Sequence, residues 1–228
     1  MATTTGGHLL PDLVTVEPRT RVASLSEKAY YLLRDRLVTL EIPPGATIDE
    51  RGLQDQLGLG RTPIREALRR LADARLVEVV PRRGIFASHV DLGDLRAISE
   101  VRARLEGYAA GLAASRARAD ELAEADGLLT ELAAGPTGQR ELIRLDQRVH
   151  RFVHRATHNG FLAATLEEYY VHSLRLWFLV LDRLPHLEHA VAEHVELLAA
   201  VRDRDPGAAE RVASRHVVDF EDKIRSAL

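Results

Sequence analysis

Residues 42–86 read IPPGATIDERGLQDQLGLGRTPIREALRRLADARLVEVVPRRGIF. Pro43 and Pro44 end any helix that reaches them, because proline offers no amide and disfavours helix in the residue before it. A short helix fits Glu50 to Leu57 and stops at Gly58. Another begins at Thr62-Pro63, where threonine can cap and proline suits the first helical position. Gly52 inside the first of these helices costs roughly 1 kcal/mol against alanine. After Arg75 the pattern changes. Leu76 to Val80 and Ile85 to Ser88 are short β-rich runs on either side of Pro81-Arg82-Arg83-Gly84, which predicts a hairpin. Upstream, Ser24-Leu25-Ser26-Glu27 forms a capping box, and a helix should run from it to about Glu41. The expected order is helix, helix, turn, helix, hairpin.

The helix opened by Thr62-Pro63 places Ile64, Ala67, Leu68 and Leu71 on one side, while Arg61, Arg65 and Arg69 recur every four residues on another. A guanidinium fork matches phosphate oxygens and the O6/N7 edge of guanine, so the stripe can address a nucleic-acid groove. The plainer reading of such a stripe is a solvated charged face. Charge distribution leans the first way: residues 21–90 hold 12 basic and 9 acidic residues, net +3, whereas residues 91–228 hold 18 and 23, net -5. Positive charge gathered in one half is what a phosphate-binding module needs.

With 228 residues, 46% of them apolar, the chain can bury two modest cores. It contains no cysteine, so a metal site would use His and carboxylate. No apolar run approaches the roughly 20 residues that span a bilayer, and residues 1–20 lack a basic stretch followed by an apolar signal segment. The expectations are a cytoplasmic location without membrane contact, a disordered tail over 1–20, a DNA-binding domain over 21–90 and an all-helical domain over 91–228.

From Asp91 onward the apolar spacing is helical. Leu95, Ile98, Val101, Leu105, Ala109 and Leu112 form one stripe, and Leu122, Leu128, Leu129 and Leu132 a shorter one. Gly135-Pro136-Thr137-Gly138 breaks the chain, and further helices fit about 139–157, 160–183, 187–203 and 207–226. Polar residues interrupt these stripes at a few positions. His194 falls among Val191, Val195, Leu198 and Val201, and His216 among Ala209, Ala213, Phe220 and Ile224, so both point inward. Burying an imidazole without a partner is unfavourable. Asp146 and His150 lie one turn apart at the edge of the apolar face of their helix, a spacing that can hold one ion. His154 lies a further turn along, rotated away from the apolar centre. His158, His172, His186 and His189 read as surface or loop residues. Three imidazoles and a carboxylate suit a divalent metal, zinc first, then nickel, cobalt or manganese. Each piece has an ordinary reading as well: an inward histidine is commonly a satisfied core residue, and Asp-x-x-x-His a simple side-chain pair.

The stretch over 42–86, with PG before its first helix, RTPIREAL and the RRG turn, resembles the winged helix of the GntR family of bacterial regulators. That resemblance implies that Arg51, Arg61 and Arg65 contact DNA, that Thr62 supports them, and that Gly84 at the wing tip enters the minor groove. Gly60 departs from the family's usual serine. The segments EVRARLEGYAAGLAA, LDQRVHRFVHRATHN and EHVELLAAVRDRDPGAAERVASRH resemble the effector domain of the family's FadR branch, with Val149 where phenylalanine is frequent. This implies a six- or seven-helix antiparallel bundle, metal ligands at Asp146, His150, His194 and His216, Arg102 facing the cavity and Asn159 near it. The fold class expected is mainly α, and the function a homodimeric repressor released by a small carboxylate effector. Two other readings stay open: the metal itself is the signal, or the metal site is a hydrolase carrying a DNA-binding appendage.

Overall fold

The computed structural model describes residues 7–16, 20–136, 138–183 and 188–227. Two compact units meet at Val90/Asp91.

In the first unit, α1 (Leu25–Val38) packs on α3 (Arg61–Asp73), with α2 (Glu50–Leu57) between them in sequence. The Ser24 side chain accepts from the Glu27 amide, and Glu27 reaches back to the Ala23 amide at 2.8 Å. α1 ends at Val38, three residues before the expected Glu41, because Leu40 turns left-handed (φ 61°) and the Ile42 amide closes onto the Arg36 carbonyl. α3 starts at Arg61 with Gly60 as its cap, not at a Thr62 cap. Pro63 thus sits within the first turn, where amides have no helical acceptor to lose. The strands β3 (Val77–Val80) and β4 (Gly84–Ala87) pair antiparallel, Val77 opposite Ala87 and Val80 opposite Gly84. The Ile48 amide also donates to Ile85 at 2.8 Å, so the segment before α2 edges the hairpin. Leu33, Leu37, Ile64, Ala67, Leu68, Leu71 and Leu76 are buried at its core.

The expected tail is folded where it is described. The strands β1 (His8–Leu9) and β2 (Arg21–Val22) pair antiparallel, and Leu10, Val16 and Val22 cluster with Tyr31 of α1. The Thr15 amide donates to Asp35 at 2.7 Å, and Arg34 donates to the Thr15 carbonyl at 2.9 Å. A two-residue strand has no periodicity to detect, and the segment is anchored through the Thr15 backbone by Arg34 and Asp35, which are buried on α1.

Among the described residues the second unit holds six α-helices: α4 (Leu92–Arg116), α5 (Ala119–Ala134), α6 (Gln139–Ala156), α7 (Gly160–Val180), α8 (Glu188–Arg202) and α9 (Pro206–Ala227). A 3-10 turn, Leu181–Arg183, follows α7. Among the described helices α4 packs most extensively against α9, and small residues line that face. Ala109, Ala110, Ala113 and Ala114 are buried, and a Cβ at Gly107 would collide with the Ser214 hydroxyl and meet the Glu210 carbonyl at 3.0 Å. The buried face of α4 differs from the expected stripe. It runs through Leu95, Ser99, Arg102, Glu106, Ala109 and Ala113, while Val101 is exposed. An apolar count misses this face because its middle is a buried ion pair.

Candidate metal centre and nucleic-acid interface

Asp146, His150 and His154 follow one another at four-residue spacing on α6 and are all buried. α8 brings His194 to the same place and α9 brings His216. One ligand atom from each of Asp146, His150, His194 and His216 lies within 4.8 Å of all the others. His194 Nε2 is 3.3 Å from Asp146 Oδ1, and His150 Nε2 is 3.8 Å from the same oxygen. The four side chains that the spacing singled out thus converge.

Their orientation is set by a second ring of residues. Glu193 Oε2 lies 2.6 Å from His216 Nδ1, leaving the other ring nitrogen for the cluster. Glu106 Oε1 lies 3.4 Å from His150 Nδ1, accepts from Arg102 Nη2 at 2.9 Å, and its other oxygen lies 2.9 Å from His154 Nε2. The Tyr170 hydroxyl donates to Asp146 Oδ2, leaving Oδ1 toward the histidines. His154 is therefore a buried partner of Glu106, not a residue turned from the apolar centre. A carboxylate behind an imidazole fixes its tautomer and raises its basicity as a ligand. His194 alone lacks such support: it is 1% exposed, and neither ring nitrogen has a hydrogen-bond partner.

Burial, with the nearby His216 and His150 rings, holds the His194 pKa well below its ordinary value. Burial also lowers His150, against the pull of Glu106 and Asp146. Burial by itself would raise Glu106, but His154 and His150 overcome it and hold the carboxyl well below its usual range. Glu193, likewise raised by burial alone, is drawn down to about 2 by its hydrogen bond to His216, the His216 charge, and Lys223. His194 and His150 are thus held toward the neutral form that ligates a divalent cation, with the Glu106 and Glu193 carboxylates ionised behind the site. The donor set, with an orphaned imidazole at its centre, fits such an ion.

Arg102, Asp146, His150, Tyr170, Ser173, Leu174, Trp177, His216 and Phe220 line a cavity of about 220 Å³ including its mouth, in which side chains leave clear room for little more than a water molecule. Arg102 is buried in this wall, its guanidinium 5.4 Å from the Tyr170 ring centre. Asn159 is elsewhere. Its side-chain oxygen caps α7 by accepting from the Leu162 amide at 3.2 Å, and it is not among the residues that line this cavity. His158 is exposed and bonds to Glu121 at 3.0 Å, and His172 is half-buried. His186 and the His189 side chain lie outside the described residues.

Glu106, Tyr170, Glu193 and Trp177 are the site residues that sequence reading did not reach. Glu106, one turn after Arg102, carried a usable signal, since an i, i+4 ion pair on an otherwise Ala-rich face is a buried-pair pattern.

In the first unit, Arg61, Thr62, Arg65 and Arg69 are exposed on α3 and Arg51 on α2. Arg65 leans toward Glu50 at 3.7 Å, and Arg69 is paired with Asp73 at 3.6 Å. At the hairpin tip Arg82 (φ 63°) and Gly84 (φ 117°) are exposed with left-handed backbone, a conformation glycine adopts without strain. An arginine-lined helix with a basic hairpin beside it in one small unit is a known geometry for reading a major groove and bracing the adjacent backbone.

Comparison with known proteins agrees. Residues 25–87 match the bacterial regulatory proteins of the gntR family, and residues 97–219 match the FCD domain. The Nta operon transcriptional regulator of Aminobacter aminovorans is 32% identical over 199 residues, spanning 84% of this chain and 92% of that protein. The HTH-type transcriptional repressor RspR of Escherichia coli K12 is 23% identical over 203 residues, 88% of this chain and 89% of that protein. The solved structure of E. coli McbR/YncC shares the fold, with a TM-score of 0.79 at 23% identity, covering 89% of this chain and 98% of that one.

Proposed function

The chain belongs to the gntR family of bacterial regulatory proteins, DNA-binding transcription regulators, with an FCD domain as its second half, and on that premise we propose that it is a metal-dependent repressor released by a small organic acid. Two copies pair so that their α3 helices enter successive major grooves of a near-palindromic operator, with Arg61 and Arg65 reading bases, Arg51 and Thr62 contacting phosphates and Gly84 entering the minor groove. The protein works in the cytoplasm.

The observation that supports the metal is the convergence of Asp146, His150, His194 and His216 around a buried imidazole with no other partner. These four residues would hold a divalent ion, zinc first by donor type, with nickel, cobalt or manganese as substitutes. When bound, the ion supplies a Lewis-acid anchor for a carboxylate. Arg102 would take the same carboxylate's second oxygen, giving up part of its bond to Glu106. Because the lining leaves so little clear room, an acid has to part the side chains from α4, α7 and α9. That gives it a different affinity for the DNA-competent and incompetent arrangements, which is the condition for a shift of population.

The same tightness favours a second reading in which the metal alone is the signal. One experiment separates them. Apo protein is titrated with zinc and its operator affinity measured, then a panel of short carboxylic acids is added to the zinc form. Zinc-dependent operator binding that the acids reverse supports release by an acid. A large zinc response with no acid effect supports metal sensing, and no response to either removes both.

A further inference from the structure

Two polar groups in the lining of the cavity beside the ligand residues lack a hydrogen-bond partner. Trp177 lies two turns after Tyr170 on α7, so both reach the same wall. It is 2% exposed, and its indole N–H has no acceptor. Arg102, across the cavity, spends Nη2 on Glu106, while its buried Nε–H also has no acceptor. Two buried unpartnered groups in this lining are therefore obligate donors, and neither an indole N–H nor a guanidinium N–H can reverse its role. Leaving such a donor buried and unpaired costs free energy, which a ligand acceptor recovers.

Placement sets the ligand's length. The Trp177 ring packs edge-on against Phe220 at 5.5 Å, and Phe220 follows His216 by one helical turn, about 6 Å along the axis. Once the lining side chains part, a carboxylate held at the His216 and Arg102 end would thus stand about a four- or five-carbon chain from the indole. The lining leaves clear room for little more than a water molecule, so side chains must part to admit a ligand, and a short one asks least of them. Leu174 and Phe220 give the chain between the two ends an apolar wall.

We propose that Trp177 is a specificity residue that selects, among short carboxylic acids, those carrying a second oxygen acceptor on the fourth or fifth carbon, counting the first carboxyl carbon as one: a keto acid or a dicarboxylate in place of a plain fatty acid. This deepens the effector reading above and rests on it.

Three five-carbon acids differing only at the far end test it by calorimetry on the zinc-loaded full chain: levulinate with a ketone, glutarate with a second carboxylate, and pentanoate with neither. Levulinate and glutarate should bind roughly tenfold or more tightly than pentanoate. In Trp177→Phe, which keeps an aromatic ring but removes the donor, that preference should collapse while pentanoate binding holds. Equal metal content and melting temperature of the variant serve as its fold control. The wild-type chain supplies a reading that needs no variant, because Trp177 is its one tryptophan: levulinate and glutarate should red-shift the indole emission, and pentanoate should not. Equal affinity for the three acids in the wild type, or a preference that survives Trp177→Phe, overturns the Trp177 assignment and leaves the effector reading standing. No binding of any of the acids overturns both.

Discussion

Glu193 Oε2 lies 2.6 Å from Nδ1 of His216, and the contact commits that ring to present its other nitrogen to Asp146 and His194. Glu193 neighbours His194 in sequence, so one turn of α8 supplies both a candidate ligand and the residue that aims another. Glu193→Ala should therefore weaken zinc binding by roughly 10- to 100-fold with all four ligands retained. Competition against a calibrated chelator measures this. Unchanged zinc affinity would remove Glu193 from the support of the site.

On the metal reading, His194 should destabilise the apo protein and be required once zinc is bound. Replacing it by leucine removes a buried imidazole that has no hydrogen bond, so in chelator His194→Leu should be as stable as wild type or more so, by up to about 1–3 kcal/mol. With zinc at 100 times its Kd, wild type should gain about 2.7 kcal/mol and the variant far less. Melting curves with and without chelator should cross over between the two proteins. A variant less stable under both conditions would mark His194 as an ordinary core residue.

The pH dependence of the apo protein follows from the same burial. His194 and His150 have folded pKa values below the ordinary 6.5, so between those values the unfolded chain binds more protons than the folded one. Stability is then greatest above about 6.5 and falls as the pH drops through it toward the lowered values. Glu193, held at about 2, adds a loss in the same direction at lower pH, between the ordinary 4.5 and that value. Denaturant midpoints at pH 8, 6.5 and 5 should decline in that order, and a midpoint that rises toward pH 5 would contradict the burial of neutral imidazoles.

On the DNA side, Arg65→Ala should lower specific operator affinity by about 1–3 kcal/mol and relax the preference at one base position. Arg69→Ala should do less, because Arg69 lies a turn further from the N-terminal end of α3, where a recognition helix contacts base edges. Binding titrations against the operator and a shuffled duplex distinguish a base contact from a phosphate contact.

Gly107→Ala tests how α4 and α9 approach each other. By helix propensity alone the change should stabilise by about 1 kcal/mol. The new methyl would instead press on the Ser214 hydroxyl and on the Glu210 carbonyl, which as backbone cannot swing aside. A net loss of about 1–3 kcal/mol is expected in thermal unfolding, together with weaker zinc binding, since α9 carries His216.

Much of the fold was legible because local chemistry sets it. Prolines, glycines and caps bound α2, α3 and the hairpin within a residue or two, and the apolar spacing of α6 exposed Asp146 and His150 as departures from it. The inward facing of His194 and His216 could be read the same way, each on its own helix. Reading failed where the signal was too short or was itself polar. The β1 and β2 pairing involves two residues a side, and its anchors, Arg34 and Asp35, resemble surface residues until they are seen buried. The face of α4 was displaced because Arg102 and Glu106 satisfy each other inside the bundle, and Asn159 proved to be engaged in capping α7.

The residues alone thus determined which helices exist and which side chains are turned inward, since both depend on neighbours within a turn or two of the chain. Only the tertiary structure decided that Glu106 and Glu193 stand behind the histidines, that Tyr170 holds Asp146, and that Trp177 brings an unused N–H to the same cavity. Those relations join α4, α6, α7, α8 and α9 across as many as 48 residues of sequence, as between Glu106 and His154. Such pairings depend on how helices pack, and no local periodicity records them.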